Sequence, residues 1–145
     1  IDDILLTQQK IIPTNEGDVL HAMKNNEQGF KKFGEAYFSE ILPKKIKGWK
    51  RHKQMTLNLL VPIGQIKFIF FDQRPGSNSF EYFQEVTVSK LNYLRITVPP
   101  MIWFCFENTS NEKALLLNLA NIPHDPNEVE HKDINEISIK LINGY

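Results

Sequence analysis

Residues 44–53 carry Lys44, Lys45, Lys47, Lys50, Arg51 and Lys53, with His52 among them and no acid. Side chains two apart along a strand point the same way, so an extended segment presents Lys50 and His52 to one side. An ammonium beside an imidazole lowers the imidazole's proton affinity and keeps it neutral near pH 7, able to accept a proton. The same ammonium stabilises negative charge that develops nearby. Lys50 and His52 are therefore candidates for a base and its electrostatic partner. Lys47, Arg51 and Lys53 suit an anion such as a diphosphate. The competing reading of this run is a solvated sheet edge, where lysines discourage strand-to-strand aggregation. The residues alone leave both open. Arg51 falls on the side away from Lys50 and His52.

Other candidates are scattered. His124 lies in Ile122-Pro123-His124-Asp125-Pro126, a rigid turn from which it could reach over a site as an acid partner. Asn58 and Asn118 interrupt apolar strand-like segments, where a buried amide needs a partner. That partner is either neighbouring backbone or a bound hydroxyl. Trp103 and Phe104 point to opposite faces of a regular strand, so at most one of them lines a pocket. His21 reads as a half-buried strand residue and His131 as surface. The single cysteine, Cys105, cannot form an intrachain disulfide and reads as a small buried hydrophobe. No glycine-rich phosphate loop, serine nucleophile elbow or cysteine metal pattern occurs.

The elements that must position these residues are strands. Period-two apolar alternation marks 35–41, 55–61, 65–72, 82–89, 94–98, 102–107 and 113–119, with further candidates at 18–23 and 46–50. Met55, Leu57, Leu59 and Val61 share one face, and Thr56, Asn58 and Leu60 share the other. Residues 65–72 are apolar on both faces, as expected for a strand covered on both sides. Pro62-Ile63-Gly64, Pro75-Gly76-Ser77-Asn78 and Asn108-Thr109-Ser110-Asn111 supply turns. Strands at this spacing imply a sandwich or barrel. Residues 25–33 allow a helical turn or two, and the acidic stretch around 125–136 reads as solvated surface. At 145 residues and 16.9 kDa the expectation is one domain spanning 1–145. Seventeen basic and seventeen acidic side chains balance, which argues against a nucleic-acid binder. No apolar run approaches the ~18 residues of a membrane helix. No signal-peptide pattern opens the chain, and a cytoplasmic location is expected.

A Gly-X-X-X-His block, Gly48 to His52, followed by two strands and the later Pro99-Pro100, resembles the cupins. Within them the chain is similar to the dTDP-4-dehydrorhamnose 3,5-epimerases and the dTDP-sugar 3,4-ketoisomerases. The epimerases carry Arg-Gly-Leu-His and the ketoisomerases Arg-Gly-aromatic-His-X-His-Lys. Here the segment reads Lys47-Gly48-Trp49-Lys50-Arg51-His52-Lys53. Lys50 stands at the first His and His52 at the second. The hairpin 58–72 ending in Asp72, and Val98-Pro99-Pro100-Met101, add to the likeness, which covers about residues 8–125. The chain also departs from the pattern. Glu16 replaces the Arg of an Arg-Gly-X-Phe strand. Phe104 stands where metal-binding cupins place a His ligand. No tyrosine falls within 118–124, where the epimerases keep their catalytic one.

The resemblance implies an all-β, cupin-type jelly roll with no bound metal and no cofactor. It implies an isomerase that acts on a nucleotide-linked 4-keto-6-deoxy sugar in surface-polysaccharide biosynthesis. His52 would remove the proton next to the ketone and Lys50 would stabilise the enolate; the proton donor is left unassigned, with His124 in its turn a candidate. Lys47, Arg51, Lys53, Asn58, Trp103 and Asn118 would bind the nucleotide-diphosphate sugar. A homodimer without nucleic-acid or membrane partners is expected. The alternative is a sugar- or nucleotide-binding cupin that has lost the epimerase residues.

Overall fold

The structure is a computed structural model that describes residues 1–138. Its described residues form twelve strands and no helix. The strands are β1 (Leu5–Gln8), β2 (Ile11–Ile12), β3 (Val19–Leu20), β4 (Glu35–Ile41), β5 (Ile46–His52) and β6 (Leu57–Ile63). They continue as β7 (Gln65–Asp72), β8 (Phe83–Ser89), β9 (Leu94–Val98), β10 (Ile102–Asn108), β11 (Ala114–Ala120) and β12 (Val129–Lys132). β4, β7 and β9 occupy expected segments end to end, and β5, β6, β8, β10 and β11 lie on theirs with ends shifted by one or two residues. β1, β2 and β12 were not foreshadowed, since four residues or fewer give alternation too little length to register. Residues 25–33 form turns rather than helix, and the expected strand at 18–23 shortens to β3.

Two five-stranded antiparallel sheets face one another as a jelly-roll sandwich. One runs β1-β9-β6-β11-β4 and the other β12-β5-β10-β7-β8. The core between them joins Leu57, Leu59 and Val61 of β6, Leu116 of β11 and Ile96 of β9 to Phe68, Phe70, Phe104 and Phe106. Each of these buried side chains contributes roughly 1.5–3 kcal/mol of transfer free energy. The second sheet is covered on its outer face as well. There Trp49, Ile69, Phe71, Trp103 and Cys105 pack with Ile137 and Ile134 from the segment after β12. Burial pushes the Cys105 thiol up to about 12, which makes it inert.

The outer face of the first sheet carries the long connection between β3 and β4. Arg95 of β9 is fully buried there and donates to Ala22 O, Gln28 O and the Glu27 carboxylate. Burial works to raise the Glu27 pKa, but the hydrogen bond and charge of Arg95 prevail and lower it. Gly29, with φ +91°, lies against Thr97 and Asn58, where a Cβ would collide with the Thr97 side chain.

The β7–β8 turn is closed by Asp72, whose carboxylate is buried. Arg74 donates to it from its backbone N and Nε (3.0 Å each) and from Nη2 (2.8 Å), and Ser77 and Ser79 donate from Oγ at 2.7 Å. Burial alone would raise its pKa, but these donors hold it well below the carboxylate range. A lowered folded-state pKa stabilises the fold above the unfolded value of about 4, and that contribution is lost as pH falls further. Asp72→Ala is expected to cost about 3 kcal/mol at pH 7 in urea denaturation, with a smaller difference from the unaltered protein at pH 3.

Candidate functional site

β5 places the basic segment. Its pairing with β10 sets Lys50 opposite Phe104 and Lys47 opposite Phe106. Three steps on β5 thus match two on β10, a bulge at Gly48–Trp49. Regular alternation would separate Lys47 from Lys50; the bulge puts both on the Phe104–Phe106 face, toward the core. His52 follows two residues after Lys50 on the same face, its ring centroid 6.4 Å from that of Phe104. Trp49 turns to the outer face, where Nε1 donates to Ile134 O.

His52 is held at its strand end. Its backbone carbonyl accepts from Met101 N at 2.7 Å. Its Nδ1 lies 2.7 Å from Glu128 Oε2, and both side chains are buried. Glu128 Oε1 accepts from Gln54 N at 2.7 Å and Met55 N at 2.8 Å. Burial would raise the Glu128 pKa, but these two amides and His52 lower it, so it is a carboxylate. A carboxylate only accepts, which fixes the proton on His52 Nδ1 and leaves a lone pair on Nε2. That Nε2 is buried and has no hydrogen-bond partner among the described residues. Burial lowers the His52 pKa, with Glu128 opposing and Lys50 assisting. The ring is a neutral base at pH 7.

Lys50 sits beside it in apolar surroundings. Its Nζ is 5.1 Å from the Phe104 ring centroid and 5.8 Å from that of Phe106. Burial first, then the charge of Lys47, brings its pKa down to about 8. His131 of β12 pairs with Lys50 and adds a second imidazole at the rim of this face.

The facing wall belongs to β11 and β4. Ala114, Leu116 and Ala120 of β11 point into the core, and Asn118 shares their face. Asn118 pairs with Tyr37 of β4 and Leu116 with Ser39. The Asn118 amide nitrogen makes only long contacts, to Ser39 Oγ and Leu116 O at 3.4 Å and Tyr37 O at 3.5 Å. Its Oδ1 is buried without a partner among the described residues. Burial, then the charge of Glu35, raises the pKa of the half-exposed Tyr37 hydroxyl.

The expected site residues divide by face. Lys47, Lys50 and His52 converge on the inner wall, with Asn118 on the opposite one. Arg51 turns outward, its Nη2 2.6 Å from Glu130 and its guanidinium 4.6 Å over Trp103. Trp103 lies on the same outer face between Arg51 and Lys132, because it alternates with the inward Phe104. Asn58 is also outside the sandwich. Its Nδ2 donates to Gly29 O and its Oδ1 accepts from Thr97, so its partner is local structure. Lys53 is exposed and donates to Asn127 O, and His124 is an exposed loop residue. Arg51, Trp103, Asn58, Lys53 and His124 therefore stand apart from the Lys50–His52 wall. Glu128 and His131 join it unannounced, and Tyr37 joins Asn118 on the facing wall. The acidic stretch read as solvated surface thus supplies the buried partner of His52. The only sequence signal for it was the Asp125-Pro126-Asn127 turn aiming a strand back along β5. Among the described residues no group of three His, Cys, Asp or Glu side chains is placed to hold a metal ion.

A jelly roll with a carboxylate-held histidine on its inner wall defines a class that comparison with solved structures resolves. The chain matches no family model and no curated protein. It superposes on the dTDP sugar isomerase of Desulfovibrio desulfuricans G20 with TM-score 0.91 and 35% identity, over 93% of this chain and 87% of that one. The chain belongs to the cupin family of dTDP-sugar isomerases and dTDP-4-dehydrorhamnose 3,5-epimerases. More distant structures share the fold. The 3,5-epimerase of Bacillus anthracis strain Ames, with TDP and PPi bound, has TM-score 0.83 and 16% identity over 95% of this chain and 84% of that one. QdtA, a sugar 3,4-ketoisomerase from Thermoanaerobacterium thermosaccharolyticum in complex with TDP, has TM-score 0.75 and 14% identity over 91% and 90%.

Proposed function

We propose that this protein is a metal-free isomerase of a dTDP-linked 4-keto-6-deoxy sugar, and that it works by proton transfer at a carbon next to the ketone. The observation that carries this reading is the buried His52–Glu128 pair, with a bare Nε2 beside Lys50 on the inner wall. Such a carbon acid needs a base matched to neutral pH and a positive group to receive the released electrons. His52 Nε2 takes the proton, Glu128 holds its tautomer, and Lys50 supplies the positive group. Lys47 and the rim imidazole of His131 face the diphosphate. Asn118 Oδ1 accepts from a sugar hydroxyl. The acid role for which His124 was a candidate passes in this reading to Tyr37, which stands on the opposite wall.

The product serves the assembly of surface polysaccharide, and the single buried thiol suits a reducing cytoplasm. A homodimer belongs to the same reading. The outer face around edge strand β4 exposes Phe38 (62%) beside Leu117, and Ile63 (59%) beside Leu115. Light scattering is expected to give twice 16.9 kDa.

Because His52 titrates below its ordinary 6.5, kcat/KM is expected to stay flat from pH 7 down to about 6.5. Below the His52 pKa it falls about tenfold per pH unit as the base is protonated. Incubation with a panel of dTDP-4-keto-6-deoxy sugars, followed by NMR of the products, tests the assignment. A new epimer or a migrated ketone supports it. Binding of the whole panel without any conversion contradicts it and leaves a binding protein.

A further inference from the structure

We propose that Asn118 reads the hydroxyl on carbon 3 of the sugar, and so restricts this site to 4-keto sugars that keep a hydrogen-bond donor there. The inference rests on the keto-sugar reading above and narrows its substrate class. An unmet acceptor carries it. Asn118 is 1% exposed, on a face otherwise made of Ala114, Leu116 and Ala120. Its Oδ1 has no donor among the described residues. Its Nδ2 makes three long contacts, the shortest of them 3.4 Å. Two other buried asparagines differ. Asn58 Oδ1 accepts from Thr97, and its Nδ2 donates to Gly29 O. Asn108 Oδ1 accepts from Ser110 N and Oγ, and its Nδ2 donates to Ile41 O and Glu112 O. A carbonyl buried without a donor is costly, and an apolar side chain of the same shape would fill the wall without that cost. The donor that Asn118 lacks is one that a ligand supplies.

The fold sets Asn118 across from Lys50. Ile1 N donates to Gln84 Oε1 of β8, and Asp2 N to Ser79 Oγ just before it. The β1 edge of the first sheet thus lies by the β8 edge of the second, and the other edges, β11 with β4 and β5 with β12, face one another. The chain passes from Ile41 at the end of β4 to Ile46 at the start of β5 through one turn. Tyr37 stands four residues before that turn and Lys50 four residues beyond it, at a similar depth in the sandwich. Asn118 pairs with Tyr37 and shares its level. A sugar whose ketone meets Lys50 therefore has Asn118 on its far side.

The two carbons beside the ketone differ in what they offer. Carbon 5 carries the ring oxygen and a methyl group, neither of which donates. Carbon 3 carries a hydroxyl. Carbon 2 lies one bond further toward the diphosphate, on the Lys47 side. Only the 3-hydroxyl brings a donor to the level of the ketone, and it is the group that meets Asn118 Oδ1. An amine at carbon 3 would serve as well, whereas a 3-deoxy sugar leaves the carbonyl as it was. A site with a buried acceptor discriminates strongly against an analogue that lacks the matching donor. Asn118 thereby sets specificity, while the proton transfer stays with His52.

The test compares kcat/KM for deuterium wash-in from D2O beside the ketone, each rate taken relative to enzyme-free exchange. The sugars are dTDP-4-keto-6-deoxyglucose and its 3-deoxy and 2-deoxy analogues, offered to the unaltered full chain and to Asn118→Leu. The unaltered protein is expected to lose about tenfold or more on the 3-deoxy sugar, and much less on the 2-deoxy one. Asn118→Leu is expected to lose the preference for the 3-hydroxyl and to melt no lower than the unaltered protein, because an apolar side chain replaces an unpaired carbonyl. A loss below about tenfold on the 3-deoxy sugar, or a larger loss on the 2-deoxy one, overturns the assignment. So does a preference that survives in Asn118→Leu. A variant that unfolds or melts several degrees lower marks Asn118 as a structural amide and overturns it too. Each of these results comes with wash-in on the parent sugar and leaves the keto-sugar reading standing. Absence of wash-in on all three sugars overturns that reading and the inference with it.

Discussion

Replacing His52 by Asn is expected to lower the rate of proton exchange by about 10³-fold while the protein stays folded. A positioned general base contributes typically 10²–10⁴. His52 presents on this wall a lone pair fixed at neutral pH. Asn retains an amide N–H that can donate to Glu128, so the carboxylate is not left unpaired in a dry site. The melting temperature should then move by only a few degrees, and dTDP should still bind, because the proposed diphosphate contacts, Lys47 and His131, are unaltered. His52→Ala separates the two effects. It strands the Glu128 carboxylate, and breaking a buried pair this way costs about 3–5 kcal/mol, so it is expected to lose stability as well as turnover.

Glu128→Gln is expected to be nearly as damaging to the rate and nearly silent in stability. Gln keeps an oxygen for the amides of Gln54 and Met55, whose hydrogen bonds to Glu128 fix the strand end. Its other atom is a donor. Facing His52 Nδ1, it forces the proton to Nε2, and the lone pair that took the substrate's proton is gone. Substitutions that hold the geometry of a carboxylate–histidine pair but invert the tautomer cost about 10⁴ in kcat. A loss of 10²–10⁴ in kcat with KM unchanged is the expected outcome, read by steady-state kinetics beside a thermal melt. A partner that merely pinned the loop would give the opposite pattern, with a lower melting temperature and near-normal kcat.

Much of this wall was legible in the sequence, and the reason is local. The two-residue spacing of Lys50 and His52 survives any strand that stays extended, and the alternation of 65–72 and 94–98 fixed strands whose ends match. Lys47 shows where alternation fails. One extra residue at Gly48–Trp49 rotates everything before it by one face, and no composition signal marks the bulge. Glu128 was hidden for another reason. Its charge argues for solvent, and only the pairing of β12 with β5, a contact 76 residues away in sequence, makes burial the lower-energy choice by supplying an imidazole and two amides. Tyr37 was masked by β4's mixed faces, since its inward orientation follows from pairing with Asn118 rather than from its own neighbours. Trp103 and Arg51 attract a ligand reading by residue type, yet they stack on one another on the outer face, where Arg51 pairs with Glu130.

The account depends on a proton leaving carbon next to a ketone at His52. The most direct measurement is deuterium wash-in, following dTDP-4-keto-6-deoxyglucose with the unaltered protein in D2O by NMR and mass spectrometry. The account predicts replacement of a ring C–H beside the ketone at a rate far above the enzyme-free control, and its near-complete loss in His52→Asn. No replacement above that control, or equal replacement by the His52 variant, would contradict it.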